Sequence, residues 1–298
     1  MGLKPDILPL LRELGDLKRI RSAGRTGSVA TRLFEAAWAA LLEGEDAGAV
    51  AERAMAHGLA ATRLGDLDHA TLTTLGFAPA DAVTVLENAI DEVGGALNPW
   101  LVAQLKTRLP EPLAPPGRAL PEPLRLLADQ PRAGVTGPGR PRIMLQPEEN
   151  HSEHSYIVAL YAGLLAPVYN ADPGRAFWHG MIHHLHSAAM PDAGYTGEVL
   201  LGDRLDDVIA TARRLAIAQL PDAVAGMARE HLNAIADDST QSARAFHAAD
   251  VIDRVLEIEQ HLKRSRVSMG LVLDDYGLVH DGPVKTFHDQ VLSEIGLP

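Results

Sequence analysis

Glu149-Asn150-His151-Ser152-Glu153-His154-Ser155, followed downstream by His179-Gly180-Met181-Ile182-His183-His184-Leu185-His186, decides how this chain is read. Six of its 13 histidines lie between His151 and His186. Imidazole is the commonest metal ligand among side chains, so this density points to a bound cation. Both pieces sit in apolar sequence of helical period. Val158, Leu160, Tyr161, Leu164 and Leu165 predict a helix over Ser152–Leu165 with Ser152 as its N-cap. Pro173 opens the next, over Pro173–Ser187.

Outward from this stretch the texture stays helical. Leu8, Leu11 and Leu14 within Asp6–Ile20, and Phe34, Trp38 and Leu41 within Val29–Leu42, recur at helical spacing. Ala49–Leu64, Thr71–Leu75, Ala82–Val93 (entered through Asp81 as a cap) and Pro99 to about Leu109 continue the pattern. Downstream, Leu200–Leu215, Ala223–Ala236, Thr240–Ser265 and Pro283–Ile295 read as helices, and Leu271–Val279 as a short extended pair. Ten of the 20 prolines fall between Pro110 and Pro147, and proline blocks helix continuation. That segment reads as a linker with one short helix, Pro123–Ala128. The expected organisation is all-α: a helical domain over 1–109, a linker over 110–147 and a metal-binding domain over 148–298.

Composition narrows the chemistry. Apolar residues make up 46% and aromatics only 4%, which favours closely packed helices over a β-sandwich. Without cysteine there is no disulfide, thiolate nucleophile or Cys-ligated zinc, so a metal must be held by His and carboxylates. No apolar run reaches membrane-span length, Met1–Gly15 does not read as a signal peptide, and Asp6 departs from a myristoylation signal. A cytoplasmic protein without a membrane partner is expected. Net charge is −12, of which −10 lies in residues 141–298, arguing against a nucleic-acid polymer as partner. The oligomeric state is left open, with a homodimer among the options.

The element from Glu149 to Ala159 resembles the first metal-ligand motif of the HD-domain superfamily. It is most similar to that of the bacterial HD-type 5′-nucleotidases, Glu-Asn-x-Ser-Glu-His-Ser-x-x-Val-Ala. His183-His184 lies where those enzymes carry an adjacent His-Asp pair, and Ala248-Ala249-Asp250 resembles their final Ala-Asp motif. The likeness spans roughly Gln146 to Lys263. It implies a helical bundle in which His154, His183, His184 and Asp250 hold a divalent transition ion (Mn, Co, Ni, Fe or Zn), because imidazoles with one carboxylate suit such ions. It further implies phosphomonoester hydrolysis by a water that the metal acidifies, the substrate being a nucleotide or another small phosphate. Asp192 matches the relatives' substrate-side Asp, and Glu198 is a candidate replacement for a missing carboxylate. His151, His179 and His186 are candidates for further ligands or for support of the ligands.

The departures matter as much. The Asp of the His-Asp pair is His184, and the relatives' catalytic Glu is Ser187, a poor acid or base. Pro147 stands near the place of a substrate-binding Arg, with Arg140 or Arg142 as substitutes. These losses motivate a second reading, a non-catalytic regulatory protein. A third, a di-iron oxygenase, would draw on His231 and His247. The N-terminal half echoes the motifs: Ser28-Val29-Ala30-Thr31-Arg32-Leu33-Phe34 resembles the first with Arg32 for the ligand His. His57-Gly58 and Asp66 keep the nine-residue spacing of His183 and Asp192. This suggests a degenerate HD-like repeat that has lost its metal.

Overall fold

Side-chain caps set where most helices begin. The computed structural model describes residues 2–111, 113, 119–262 and 268–298. In the N-terminal half, α1 (Leu8–Gly15) lies between two 3-10 turns, the second being Asp16–Lys18. Then come α2 (Val29–Leu42), α3 (Ala47–Leu64), α4 (His69–Thr74), α5 (Pro79–Val93) and α6 (Pro99–Lys106). Ser28, Asp46, Asp68 and Asn98 cap α2, α3, α4 and α6 by accepting from backbone amides of the first turn. The proline-rich stretch holds α7 (Glu122–Asp129) and two isolated bridges, Pro131 to Asn150 and Val135 to Ile143.

The C-terminal half comprises α8 (His151–Leu165), α9 (Pro173–Ile182), α10 (Gly194–Leu201), α11 (Leu205–Ile217), α12 (Asp222–Ala234), α13 (Gln241–Leu262), α14 (Met269–Asp274) and α15 (Lys285–Ile295). The fold is all-α, with no strand among the described residues.

Local chemistry corrects several expected boundaries. Asn150, not Ser152, caps α8: its side chain accepts from the Glu153 amide, and Glu153 Oε2 accepts from the Asn150 amide. Asp81 lies inside α5, which Ala78 caps. The helix expected over Pro173–Ser187 ends at Ile182, so His183 and His184 stand at a break before the 3-10 turn Leu185–Ala188. Leu200–Leu215 is divided at Gly202, whose φ of 52° ends α10. Leu271–Val279 is no extended pair, because Ser268 caps α14 through the Leu271 amide. The expected end of α13 at Ser265 lies outside the described residues.

Every residue of α8 is buried. The helix is enclosed by α2, α3, α7, α9 and α13. At Gly180 in α9 a Cβ would collide with the Ala159 backbone of α8, so glycine there permits the closest approach in this pair. One buried apolar cluster runs from Leu3 to Leu297, and Trp38 of α2 meets Trp178 of α9 edge to face at 5.2 Å. These contacts bring the N-terminal half against the helices that carry the histidines.

Candidate metal centre

The capping box fixes the start of α8 and thereby places His154 one turn inside it. Its Nδ1 donates to Asp253 Oδ2 of α13 at 2.8 Å. At the end of α9, His183 Nδ1 donates to the Gly180 carbonyl at 2.6 Å. Both acceptors only accept, so in neutral rings the two Nε2 atoms are bare lone pairs. Those atoms face each other at 3.2 Å. Burial holds His183 down to about 3, with His154 beside it.

Asp250 of α13 completes the arrangement. Its Oδ1 is buried, makes no hydrogen bond and lies 3.4 Å from His154 Nε2 and 3.9 Å from His183 Nε2. Burial alone would raise its pKa, but Arg254 and the two imidazoles outweigh that and hold it well below the usual carboxylate range. Arg254 Nη2 donates to Asp250 Oδ2 at 2.7 Å, leaving Oδ1 turned inward. One nitrogen each of His154, His183 and His184 lie within 4.8 Å of one another. Burial keeps His184 well below the ordinary histidine value. Two facing lone pairs and an orphaned carboxylate oxygen repel one another until a cation stands between them. The residues present therefore fit a divalent ion held by nitrogen and oxygen.

A cavity of about 180 Å³ opens beside this cluster. Its walls include His151, His184, Ser187, Glu198, Arg132 and Arg254. Arg132 and Arg254 give it two guanidiniums, the geometry suited to a phosphate. Burial raises the Glu198 carboxyl above its ordinary value. His151 lines the cavity with both ring nitrogens unpartnered, and burial next to Arg132 pushes it down to about 2. His186 also faces the cavity, its ring centroid 5.4 Å from that of His184.

Other expected residues take different roles. Asp192 lines the cavity, but its Oδ2 accepts from the Ala133 amide and its Oδ1 from the Gly194 amide, so it pins two loops together. His179 is turned away from the centre and bonds Ser242 Oγ and His231 Nδ1, at 3.1 and 3.0 Å. With α9 ending at Ile182, it shares no helical face with His186. His231 is thus taken by His179, and His247 Nε2 donates to the Asp237 carbonyl, so neither histidine of the di-iron reading reaches the centre. Arg140 pairs with Asp275 and Arg142 with the Ala133 carbonyl. Ser187 Oγ lies 3.4 Å from His184 Nδ1. In the N-terminal half Arg32 pairs with Asp66, and His57 donates to the Glu111 carbonyl.

Sequence reasoning gave no site role to Asp253, Arg254, Arg132 or Lys18. The first two stand three and four residues after Asp250, a spacing that puts all three on one helical face. That signal was available. Arg132 sits in the stretch read as linker, and nothing local marks it.

A helical bundle that gathers three histidines, with an aspartate against two of them, defines a class of metal-site protein. The chain belongs to the HD-domain family, whose model matches residues 127–280. HD domains bind divalent metals and are commonly metal-dependent hydrolases. No curated protein matches the chain, and no solved structure does. No described helix is long and apolar enough to cross a membrane.

Proposed function

We propose that the protein is a metal-dependent phosphohydrolase acting on a small phosphomonoester, a nucleoside monophosphate being the first candidate. The observation that carries this reading is the unpaired triangle of His154 Nε2, His183 Nε2 and Asp250 Oδ1 beside a cavity with two arginines. His154, His183 and Asp250 would hold the ion, with His184 in the position where relatives carry Asp. Mn²⁺, Co²⁺, Ni²⁺, Fe²⁺ and Zn²⁺ all suit these donors. When bound, such an ion supplies Lewis-acid activation of water and of a phosphoryl oxygen.

The chain's own groups do the rest. Arg132 and Arg254 bind and orient the phosphate dianion. Glu198, kept protonated to higher pH by its surroundings, delivers a proton to the departing oxygen. His151, held neutral, adds an uncharged wall that accepts or donates one hydrogen bond. The test is release of phosphate from a panel of nucleoside monophosphates with added Mn²⁺ or Co²⁺. Turnover of at least one, abolished by chelation, is expected; no turnover with either metal overturns the reading.

A further inference from the structure

A buried cation of the N-terminal half reaches the residues that support the metal centre. Lys18 ends the 3-10 turn Asp16–Lys18 and is 3% exposed. Its Nζ lies 2.5 Å from Glu149 Oε1, 2.7 and 2.9 Å from the two oxygens of Asp253, and 3.2 Å from Glu257 Oε2. Burial alone would lower its pKa, but these three carboxylates outweigh that and raise it well above its ordinary value. Asp253 is the same carboxylate that accepts from His154 Nδ1. Glu149 extends the contact to the cavity, with Oε2 3.5 Å from Arg132 Nη1. Remove the ammonium, and Glu149 keeps Arg132 and Glu257 keeps Arg19, while buried Asp253 is left with the His154 imidazole beside two carboxylates. The cheapest relief is for Asp253 to swing away. That change frees the His154 ring to rotate or to switch tautomer.

We propose that Lys18 is a positioning residue for the metal centre: its ammonium fixes Asp253, which holds the His154 proton on Nδ1 and turns Nε2 to the cation. This rests on reading the histidine cluster as a metal site. It makes the N-terminal half a structural part of that site and gives Lys18 a role that no ligand motif displays.

The experiment is calorimetric titration of the metal-free full chain with Mn²⁺ or Co²⁺. Because Lys18→Met leaves three buried carboxylates, it is made in a Glu257→Gln background, which removes one that does not touch His154. Circular dichroism establishes that each variant is folded. Affinity about 10- to 100-fold below the Glu257→Gln reference is expected for Lys18→Met and for Asp253→Asn. The Lys18→Met/Asp253→Asn pair should be no weaker than the weaker single change, since one path carries both effects. A folded Lys18→Met protein with reference affinity overturns the proposal, as do losses that multiply in the pair. A merely structural lysine would lower the melting temperature and leave the affinity of the folded protein unchanged. If methionine prevents folding, Lys18→Gln, which keeps a donor without the charge, is read by the same criteria. A reference protein that binds no divalent ion overturns the metal reading itself, and this proposal with it; binding equal in reference and variant overturns the lysine's role alone.

Discussion

His154 and His183 reach the centre with Nε2 because something else holds Nδ1, and that division of labour governs what substitutions do. Asp250→Asn replaces the one inward carboxylate oxygen by a neutral group and weakens the pairing with Arg254. Metal affinity should fall at least about 100-fold, read by competition with a chromogenic chelator. Glu198→Gln keeps shape but removes the proton. Its kcat should drop about 100-fold, and the decline of activity at high pH that a protonated carboxyl imposes should disappear from the pH–rate profile. A profile identical to wild type would exclude Glu198 as the acid. Much of this constellation is legible in the sequence, since His154, His183 and Asp250 stand in recognisable runs. Asp192 is legible too, yet its two amide partners, Ala133 and Gly194, are not, and they make it join two loops as well as line the cavity. Arg132 escapes notice because its neighbours are prolines and glycines, which speak only about backbone.

Helix identity follows from periodicity and caps, while helix ends depend on contacts that single residues do not announce. Asn150 and Ser152 are both plausible caps of α8; the reciprocal bond from Glu153 selects Asn150. Asn150→Ala should cost about 1 kcal/mol of stability, measured by urea denaturation. The break after Ile182 is invisible to an apolar pattern that continues through Leu185, yet it is what separates His186 from His179. Short apolar runs are similarly ambiguous, and Leu271-Val272-Leu273 became helix because Ser268 offered its first turn a partner. The meeting of α8 and α9 rests on Gly180. Gly180→Ala forces the new methyl against backbone rather than a movable side chain, and a loss of about 3 kcal/mol or more is expected. Gly163→Ala meets Met55, whose flexible thioether can yield, and should cost clearly less.

Across the whole molecule, burial of uncharged histidines sets the response to acid. His179 is held down to about 3 and His231 to about 4, chiefly by burial, against an ordinary 6.5. Between those values and 6.5 the unfolded chain binds protons that the folded chain refuses. The contribution is therefore complete above pH 6.5 and is lost as the pH falls toward 4. Replacing both rings by leucine should flatten the fall of unfolding free energy over that interval, by up to about 1.4 kcal/mol per pH unit for each ring. An unchanged slope in denaturation curves from pH 7 to pH 4 would contradict this. What composition could not convey is how far apart in sequence the partners stand. Lys18 and Asp253 meet across nearly the entire chain, and the apolar cluster from Leu3 to Leu297 draws on both halves.

The enclosure of α8 on every side has a kinetic consequence. Its amides have no path to solvent through fraying of a neighbour, so their hydrogen exchange must wait for opening of the whole molecule. In deuterated buffer α8 should be the last segment to exchange, with protection equal to the global unfolding free energy. His154 rides on that helix, and an ion it helps to hold would escape through the cavity at a rate set by side-chain motion, not by breathing of the scaffold.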